Sequence, residues 1–148
     1  MTTTTDTTAL ARRVLEDIFP ADDEAALVAA LSPDFVNHEA PLGTPPGPPG
    51  AAVFMHALAR AFSEQRWTVH RTLAEGDTVV LYCTHSGRHT GEFFGLAPTG
   101  RPFAYRQMHM IRLADGKGVE HWAVRDDAGL MRQLTAPSGA QRGGQAPS

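Results

Sequence analysis

The chain has 148 residues, of which 42% are hydrophobic and 20% are charged, and its formal net charge is −3. This length suits one domain, and the acidic balance argues against a nucleic-acid-binding protein, which normally carries an excess of basic residues. The single cysteine, Cys83, excludes a disulfide framework. No apolar run approaches the roughly 20 residues that a membrane span needs. The first residues lack the pattern of a secretory signal, so we expect a cytoplasmic protein without a membrane partner.

Both ends of the chain have the composition of flexible tails. Residues 1–7 are mostly threonine, and residues 135–148 contain no large apolar side chain. Such segments bury too little surface to offset the entropy that is lost on ordering. We therefore expect a flexible N-terminal tail over 1–7, one folded domain over 8–134 and a disordered C-terminal tail over 135–148.

The first half of the folded domain is predicted to be helical. Apolar residues recur there at the three- and four-residue spacing that gives a helix one buried stripe. Three such stripes are present, over residues 10–18, 26–31 and 53–62. Pro20 ends the first stripe, and Asp22 or Asp23 can cap the second helix.

Between the second and third helices the sequence predicts irregular structure. Residues 32–38 are expected to form a turn and a short extended piece. Residues 41–50 contain five prolines, which forbid both a helix and a central strand. We therefore predict a stiff loop over 41–50.

The second half changes to the alternating pattern of strands. Four strands and a last helical turn are predicted, over residues 67–73, 79–89, 103–113, 119–125 and 128–134. The links between strands are too short for crossover helices, so the sheet is expected to be antiparallel. The predicted fold class is α+β, with N-terminal helices packed on one face of a curved antiparallel sheet that encloses a pocket.

The third predicted strand carries the clearest chemical signal. Its odd-numbered positions over 103–113 are mostly apolar, so we expect that face to point inward. Gln107 and His109 then lie within an apolar face, where a buried amide and imidazole need partners in the protein, in water or in a ligand. The opposite face presents Met108 and Met110, which could form a subunit interface.

The turn between the third and fourth strands decides which residue faces His109. A type I turn with Gly116 in a left-handed bulge would place His109 opposite His121. A two-residue Asp-Gly loop would instead place His109 opposite Trp122. The first register puts two imidazoles in one pocket, and imidazoles titrate near neutrality and transfer protons well. Asp126, at the end of the fourth strand, is placed to orient one of them.

Other polar residues give weaker signals. His85 and His89 lie four apart on a strand, a separation of roughly 13 Å, which is too far for a shared metal ion. We therefore predict no metal site and expect His89 near the pocket mouth or in solvent. Asn37 either satisfies the backbone of a turn or lines the pocket floor. The chain has no phosphate-binding loop and no dinucleotide fingerprint.

Five segments together match the sequence pattern of a known protein family: residues 74–80, 87–101, 112–117, 120–122 and 126–134. They resemble the SnoaL-like polyketide cyclases, which include ester cyclases, within the nuclear transport factor 2-like superfamily. The resemblance runs from about Leu10 to Leu134 and implies a cone-shaped roll around a pocket that needs no cofactor. It also implies a homodimer or higher homo-oligomer, and an enzyme of secondary metabolism, such as antibiotic biosynthesis. The implied reaction closes a ring of a small polyketide-like substrate by intramolecular aldol condensation.

The resemblance also bears on particular positions. Asn37, Gln107, His109 and His121 match polar pocket positions of the aromatic polyketide cyclases. Those cyclases carry their catalytic acid–base aspartate where this chain has Ala123. An alanine cannot move a proton, so another group must take that role if the chain is an enzyme.

His109 is the expected proton-transfer residue, assisted by His121, with Asp126 as the third choice. Asn37 and Gln107 would position a carbonyl or its enolate oxygen. An aromatic wall for a flat substrate is expected from Tyr105, Trp122, Phe94 and Phe103. The missing aspartate leaves two alternatives open. One is a related hydrolase, dehydratase or hydroxylation-type tailoring enzyme, and the other is a non-catalytic protein that binds a small molecule.

Overall fold

A computed structural model of the chain describes residues 4–136. Its first helix, α1 (Thr4–Arg13), begins inside the segment predicted to be an N-terminal tail, and Thr7 is buried. The described residues 4–7 are thus helical, and the division into tails and a folded domain stays a prediction. Residues 1–3 and 137–148, where the rest of the two predicted tails falls, lie outside the described residues.

The N-terminal helical segment runs on to residue 21. α1 passes into a π-helical turn (Val14–Ile18) and then into the short helix α2 (Phe19–Ala21). Leu15 and Ile18 are buried, as the predicted stripe requires. Asp22 adopts a left-handed conformation, with a φ of 54°, and ends the segment.

Helix α3 (Glu24–Ala30) has one of its two predicted caps. The carboxylate of Asp23 accepts a hydrogen bond from the backbone N–H of Ala26 at 3.1 Å. This satisfies one of the first-turn donors that have no partner inside a helix. None of the helices within residues 4–136 is both long enough and apolar enough to cross a membrane.

The segment after α3 departs from prediction at two points. Strand β1 (Leu31–Asn37) is more than a short extended piece, because it forms an edge of the sheet and pairs in parallel with the last strand. Helix α4 (Pro48–Ala61) begins inside the predicted proline loop. Pro48 and Pro49 occupy its first turn, where a helix needs no backbone N–H.

One five-stranded sheet forms the second layer of the fold. Strands β2 (Phe62–Glu75), β3 (Thr78–His89), β4 (Pro102–Ala114) and β5 (Lys117–Arg125) pair antiparallel in chain order. The order in the sheet is β1-β5-β4-β3-β2, and helix α5 (Asp127–Thr135) follows the last strand. Helices packed on a mostly antiparallel sheet confirm the predicted α+β class.

Strand β4 shows most clearly which face of the sheet points inward. Its odd-numbered residues are all buried, and Gln107 and His109 are only 4% and 3% exposed. Met108 and Met110 lie on the outer face and are 44% and 37% exposed. The inward face predicted from the alternation is therefore correct, and it carries the two polar side chains into the interior.

Candidate active site

A cavity of about 430 Å³ lies between the helices and the inner face of the sheet. Most of its lining is apolar, and Tyr105 and Phe94 of the predicted aromatic wall are part of it. The polar and charged side chains that line it are Asn37, Glu39, Tyr105, Gln107, His109, His121, Arg125 and Asp127. An apolar cavity of this size with a few convergent polar groups is typical of a small-molecule site.

The hairpin between β4 and β5 differs from both predicted registers. Its turn is the two-residue Asp-Gly loop, with positive φ at both residues, yet a bulge in β5 shifts the ladder by one residue. His109 therefore pairs with Ala123, and neither His121 nor Trp122 lies directly opposite. The shift restores the side-chain parity of the first prediction, so His121 still lines the cavity.

Two imidazoles meet in this cavity. Nδ1 of His109 lies 2.9 Å from Nε2 of His121. At the two ends of the pair, Nδ1 of His121 lies 2.8 Å from Oδ1 of Asn37, and Nε2 of His109 lies 2.6 Å from Oε1 of Gln107. The four side chains form one row, which we call the amide–imidazole row, and Asn37 therefore belongs to the cavity as well as to its turn.

Other donors fix both amide oxygens of the row as acceptors. The backbone N–H of Glu39 donates to Oδ1 of Asn37 at 3.0 Å, and the indole N–H of Trp67 donates to Oε1 of Gln107 at 3.1 Å. Reversing either amide would point an NH₂ group at one of these donors. Each outer imidazole nitrogen therefore needs a proton of its own to complete its contact.

The row contains more contacts than a neutral pair has protons. Each of its three contacts requires one proton, whereas two neutral imidazoles carry two N–H groups. Burial, with a smaller effect of nearby positive charge, lowers the pKa of His121 to about 3 and that of His109 well below its usual value. At neutral pH one contact therefore lacks a proton, and taking up one proton would complete the row. Such a pair can act as a base.

His85 does not line the cavity, but it contacts two residues that do. It stacks on Trp67, with ring centroids 3.9 Å apart, and its Nδ1 lies 3.1 Å from the hydroxyl of Tyr105. Burial lowers the pKa of His85 to about 3 and raises that of Tyr105 to about 12, so both side chains are neutral near pH 7. This contact depends on how β3 pairs with β4 after the connection over residues 90–101. No local pattern in the sequence predicts that register.

His89 is completely buried, so the expectation that it lies near the pocket mouth or in solvent is wrong. Its Nδ1 accepts a hydrogen bond from the backbone N–H of Thr99 at 3.2 Å and lies 2.9 Å from the Thr99 hydroxyl. The loop between β3 and β4 folds back over this strand end and covers the ring.

Three predicted site residues lie away from the cavity. Asp126 caps α5, because its carboxylate accepts a hydrogen bond from the backbone N–H of Gly129 at 2.9 Å, and it does not orient a histidine of the pair. Trp122 follows His121 on β5 and points to the opposite face, where it stacks on His38. Phe103 faces inward but packs among core aromatic rings.

Metal and thiol chemistry find little support in the described part of the chain. Residues 4–136 contain no group of three His, Cys, Asp or Glu side chains that is placed to hold a metal ion. Cys83 is buried, and burial raises the pKa of its thiol to about 11. The thiolate is the nucleophilic form of cysteine, so the protonated thiol of Cys83 is a poor nucleophile. Proton transfer by the two imidazoles is the chemistry that this cavity supports best.

These features define a class of protein, a cone-shaped α+β domain whose apolar cavity holds two histidines in contact with each other. The chain matches the SnoaL-like polyketide cyclase family over residues 9–134 and belongs to that family. Nogalonic acid methyl ester cyclase of Streptomyces nogalater is 36% identical over 110 residues, which cover 72% of this chain and 81% of the relative. Aklanonic acid methyl ester cyclase DnrD of Streptomyces peucetius is 34% identical over 133 residues, covering 86% and 90%. The solved structure of TsrD from Streptomyces laurentii superimposes with a TM-score of 0.83 at 25% identity, covering 93% of this chain and 100% of that one.

Proposed function

We propose that the protein is a polyketide cyclase of antibiotic biosynthesis that closes a ring by intramolecular aldol condensation without a cofactor. The observation that carries this proposal is the His109–His121 pair, held between two amides in an apolar cavity. The names of two curated relatives, cyclases of nogalonic and aklanonic acid methyl esters, support a polyketide-like substrate.

The first step removes a proton from a carbon that lies between two carbonyl groups. The C–H bond breaks, its electron pair spreads over the carbonyl oxygens as an enolate, and the proton passes to the imidazole pair. The negative charge formed beside the pair offsets the burial that keeps the free pair neutral. The added proton also completes the amide–imidazole row, so Asn37 and Gln107 stabilise the charged pair through their oxygens.

The second step forms the ring. The enolate carbon attacks the acceptor carbonyl, a C–C bond forms, and the alkoxide oxygen takes the proton back from the imidazole pair. Atoms and charge balance, and the product has the mass of the substrate. The apolar walls keep water away from the enolate, and a low-dielectric site strengthens the electrostatic interactions within it.

A mass-resolved assay tests this proposal. The purified protein is incubated with a panel of poly-β-keto esters and anthraquinone-type precursors, beside His109→Ala and the exposed control His70→Ala. We expect mass-neutral ring closure by the wild type and the control, and its loss in His109→Ala. Full activity of His109→Ala would reject the assignment. Tight binding of flat aromatic compounds without conversion would favour a non-catalytic binding protein instead.

Ala123 favours a second candidate, a hydrolase, dehydratase or hydroxylation-type tailoring enzyme. It stands directly opposite His109, where the family resemblance implies a catalytic carboxylate. The same assay separates this candidate, because its products would differ from the substrate by water or oxygen. A dehydration that follows ring closure also loses water, so the product must be examined for the new ring as well.

We also propose that the protein works in the cytoplasm as a homodimer or higher homo-oligomer. Met108, Met110 and Val124 are exposed on the outer face of the sheet and form an apolar patch. Contiguous patches of this kind mark interaction surfaces. A sedimentation experiment that finds a monomer at every concentration would contradict the oligomer.

A further inference from the structure

One cation on the cavity wall has no anionic partner among the described residues. Arg125, the last residue of β5, lines the cavity, and its guanidinium lies over the ring of Phe54, 5.7 Å from the ring centroid. Within residues 4–136 no carboxylate lies within 4.0 Å of it, and no hydrogen bond joins it to a side chain. By contrast, Arg112 on the outer face of the same sheet pairs with Glu120 at 2.7 Å.

Arg125 is close to the imidazole pair. It pairs across the ladder with Gln107, whose side-chain oxygen lies 2.6 Å from His109. Direct cross-strand neighbours have Cβ atoms about 5 Å apart, and diagonal neighbours about 7–8 Å. An arginine side chain is long enough to span such distances. The guanidinium can therefore reach a ligand that also contacts the proposed base.

The charge of Arg125 acts on the buried titratable groups around it. It favours the less positive or more negative form of five side chains, and so partly offsets the burial that raises the pKa values of two of them, Cys83 and Tyr105. The other three are His85, His109 and His121, whose pKa values it lowers further. Two carboxylates that also line the cavity, Glu39 and Asp127, are exposed and do not pair with it. A partly buried guanidinium at the wall of an apolar cavity, with no paired anion, is available to an anionic ligand.

We propose that Arg125 binds the delocalised oxyanion of the ligand, the enolate of a β-dicarbonyl unit. This inference rests on the proposed function, whose first step creates that enolate. A guanidinium presents two parallel N–H groups in one plane, and the two oxygens of such an enolate lie in one plane as well. A carboxylate has a related geometry, so the experiment must separate the two anions.

The test measures ionisation of a bound probe and needs no turnover. The probe is benzoylacetone, a β-diketone whose neutral and enolate forms absorb at different wavelengths. We expect the wild type to lower the apparent pKa of the bound probe by about one unit or more, a roughly tenfold preference for the enolate. Arg125→Gln should abolish most of this shift, and Arg125→Lys should keep part of it. Arg71→Gln, an exposed arginine on β2, should behave as the wild type does.

Several outcomes would overturn the proposal. One is a folded Arg125→Gln protein that lowers the probe pKa as much as the wild type does, or, if that variant does not fold, an Arg125→Lys protein that does so. Another is failure of the wild type to bind the enolate form. Anthraquinone-2-carboxylate and its methyl ester provide the second arm. If Arg125→Gln weakens only the carboxylate, Arg125 belongs to a carboxylate subsite and the enolate assignment is wrong.

A further variant separates this proposal from the proposed function. His109→Gln should slow ring closure by about 10²-fold or more and keep the Arg125-dependent shift of the bound probe. An Arg125-dependent shift in a wild-type protein that closes no ring would refute the cyclase assignment alone. Ring closure without any Arg125-dependent shift would refute the role of Arg125 alone.

Discussion

His109 and His121 approach each other through their ring nitrogens, at 2.9 Å, although the backbone pairs His109 with Ala123. The bulge in β5 produces this diagonal relationship, because it moves His121 one residue along the ladder and thereby brings it to the inner face. The methyl group of Ala123 therefore stands directly across from His109. A longer polar side chain at that position would compete with His121 for the same ring.

Ala123→Asp should raise the pKa of His109 by about one unit or more, because a carboxylate directly across the strand favours the imidazolium form. The measurement is an NMR titration of the histidine ring C–H signals. Val124→Asp is the matched control, since Val124 is the next residue and is 71% exposed on the outer face. A pKa of His109 that stays unchanged in Ala123→Asp would show that the two side chains do not interact.

His109→Gln and His121→Gln should each reduce kcat by about 10²–10⁴-fold, the usual range for loss of a general acid–base group. Because the pair shares protons as one unit, the double variant should lose little more than the more damaging single variant. Single-turnover rates with the best substrate from the mass-resolved assay provide the comparison, with His70→Gln as control. Additive losses would mean that the two imidazoles act separately.

The inner face of β4 was predictable because strict alternation depends only on the period of a strand and the hydrophobicity of one face. The register of the hairpin was not, since one bulged residue shifts the whole ladder and leaves no local signature. The contact between His85 and Tyr105 was also not predictable from the sequence, because it joins two strands that are separated by a long connection. The proton count of the amide–imidazole row depends on Trp67, which lies far from it in the chain.

The stability of the protein should fall as the pH drops below about 6.5. In the folded state burial holds the pKa values of His85 and His121 at about 3 and lowers that of His109. In the unfolded chain these groups titrate near their usual value of about 6.5. Between the two values the unfolded state binds more protons, so the free energy of unfolding rises with pH and levels off above about 6.5.

Urea unfolding at several pH values between about 4.5 and 7.5 measures this slope, which should be roughly 1 kcal/mol per pH unit for each buried histidine. His121→Gln should reduce the slope by roughly 1 kcal/mol per pH unit, the contribution of one histidine. His56 acts in the opposite direction, because hydrogen bonds to Glu24 and Asp22 raise its pKa, and its contribution is lost as the pH rises. The interval from about pH 5 to 7 surrounds the usual histidine pKa of about 6.5. A free energy of unfolding that stays constant over this interval would show that the three histidines are not held neutral in the folded state.

Gly91→Ala should destabilise the protein and loosen the cavity wall. The added Cβ would collide with the backbone carbonyl of Arg60, and a collision with backbone is not relieved by a change of rotamer. The same turn leads into Phe93 and Phe94, which line the cavity, so a shift there moves the wall that faces a ligand. We expect a loss of about 1–3 kcal/mol in the free energy of unfolding and weaker binding of flat aromatic ligands. Thr90→Ala, one residue earlier and exposed, should change neither quantity, and equal effects of the two variants would show that the close approach to Arg60 is not responsible.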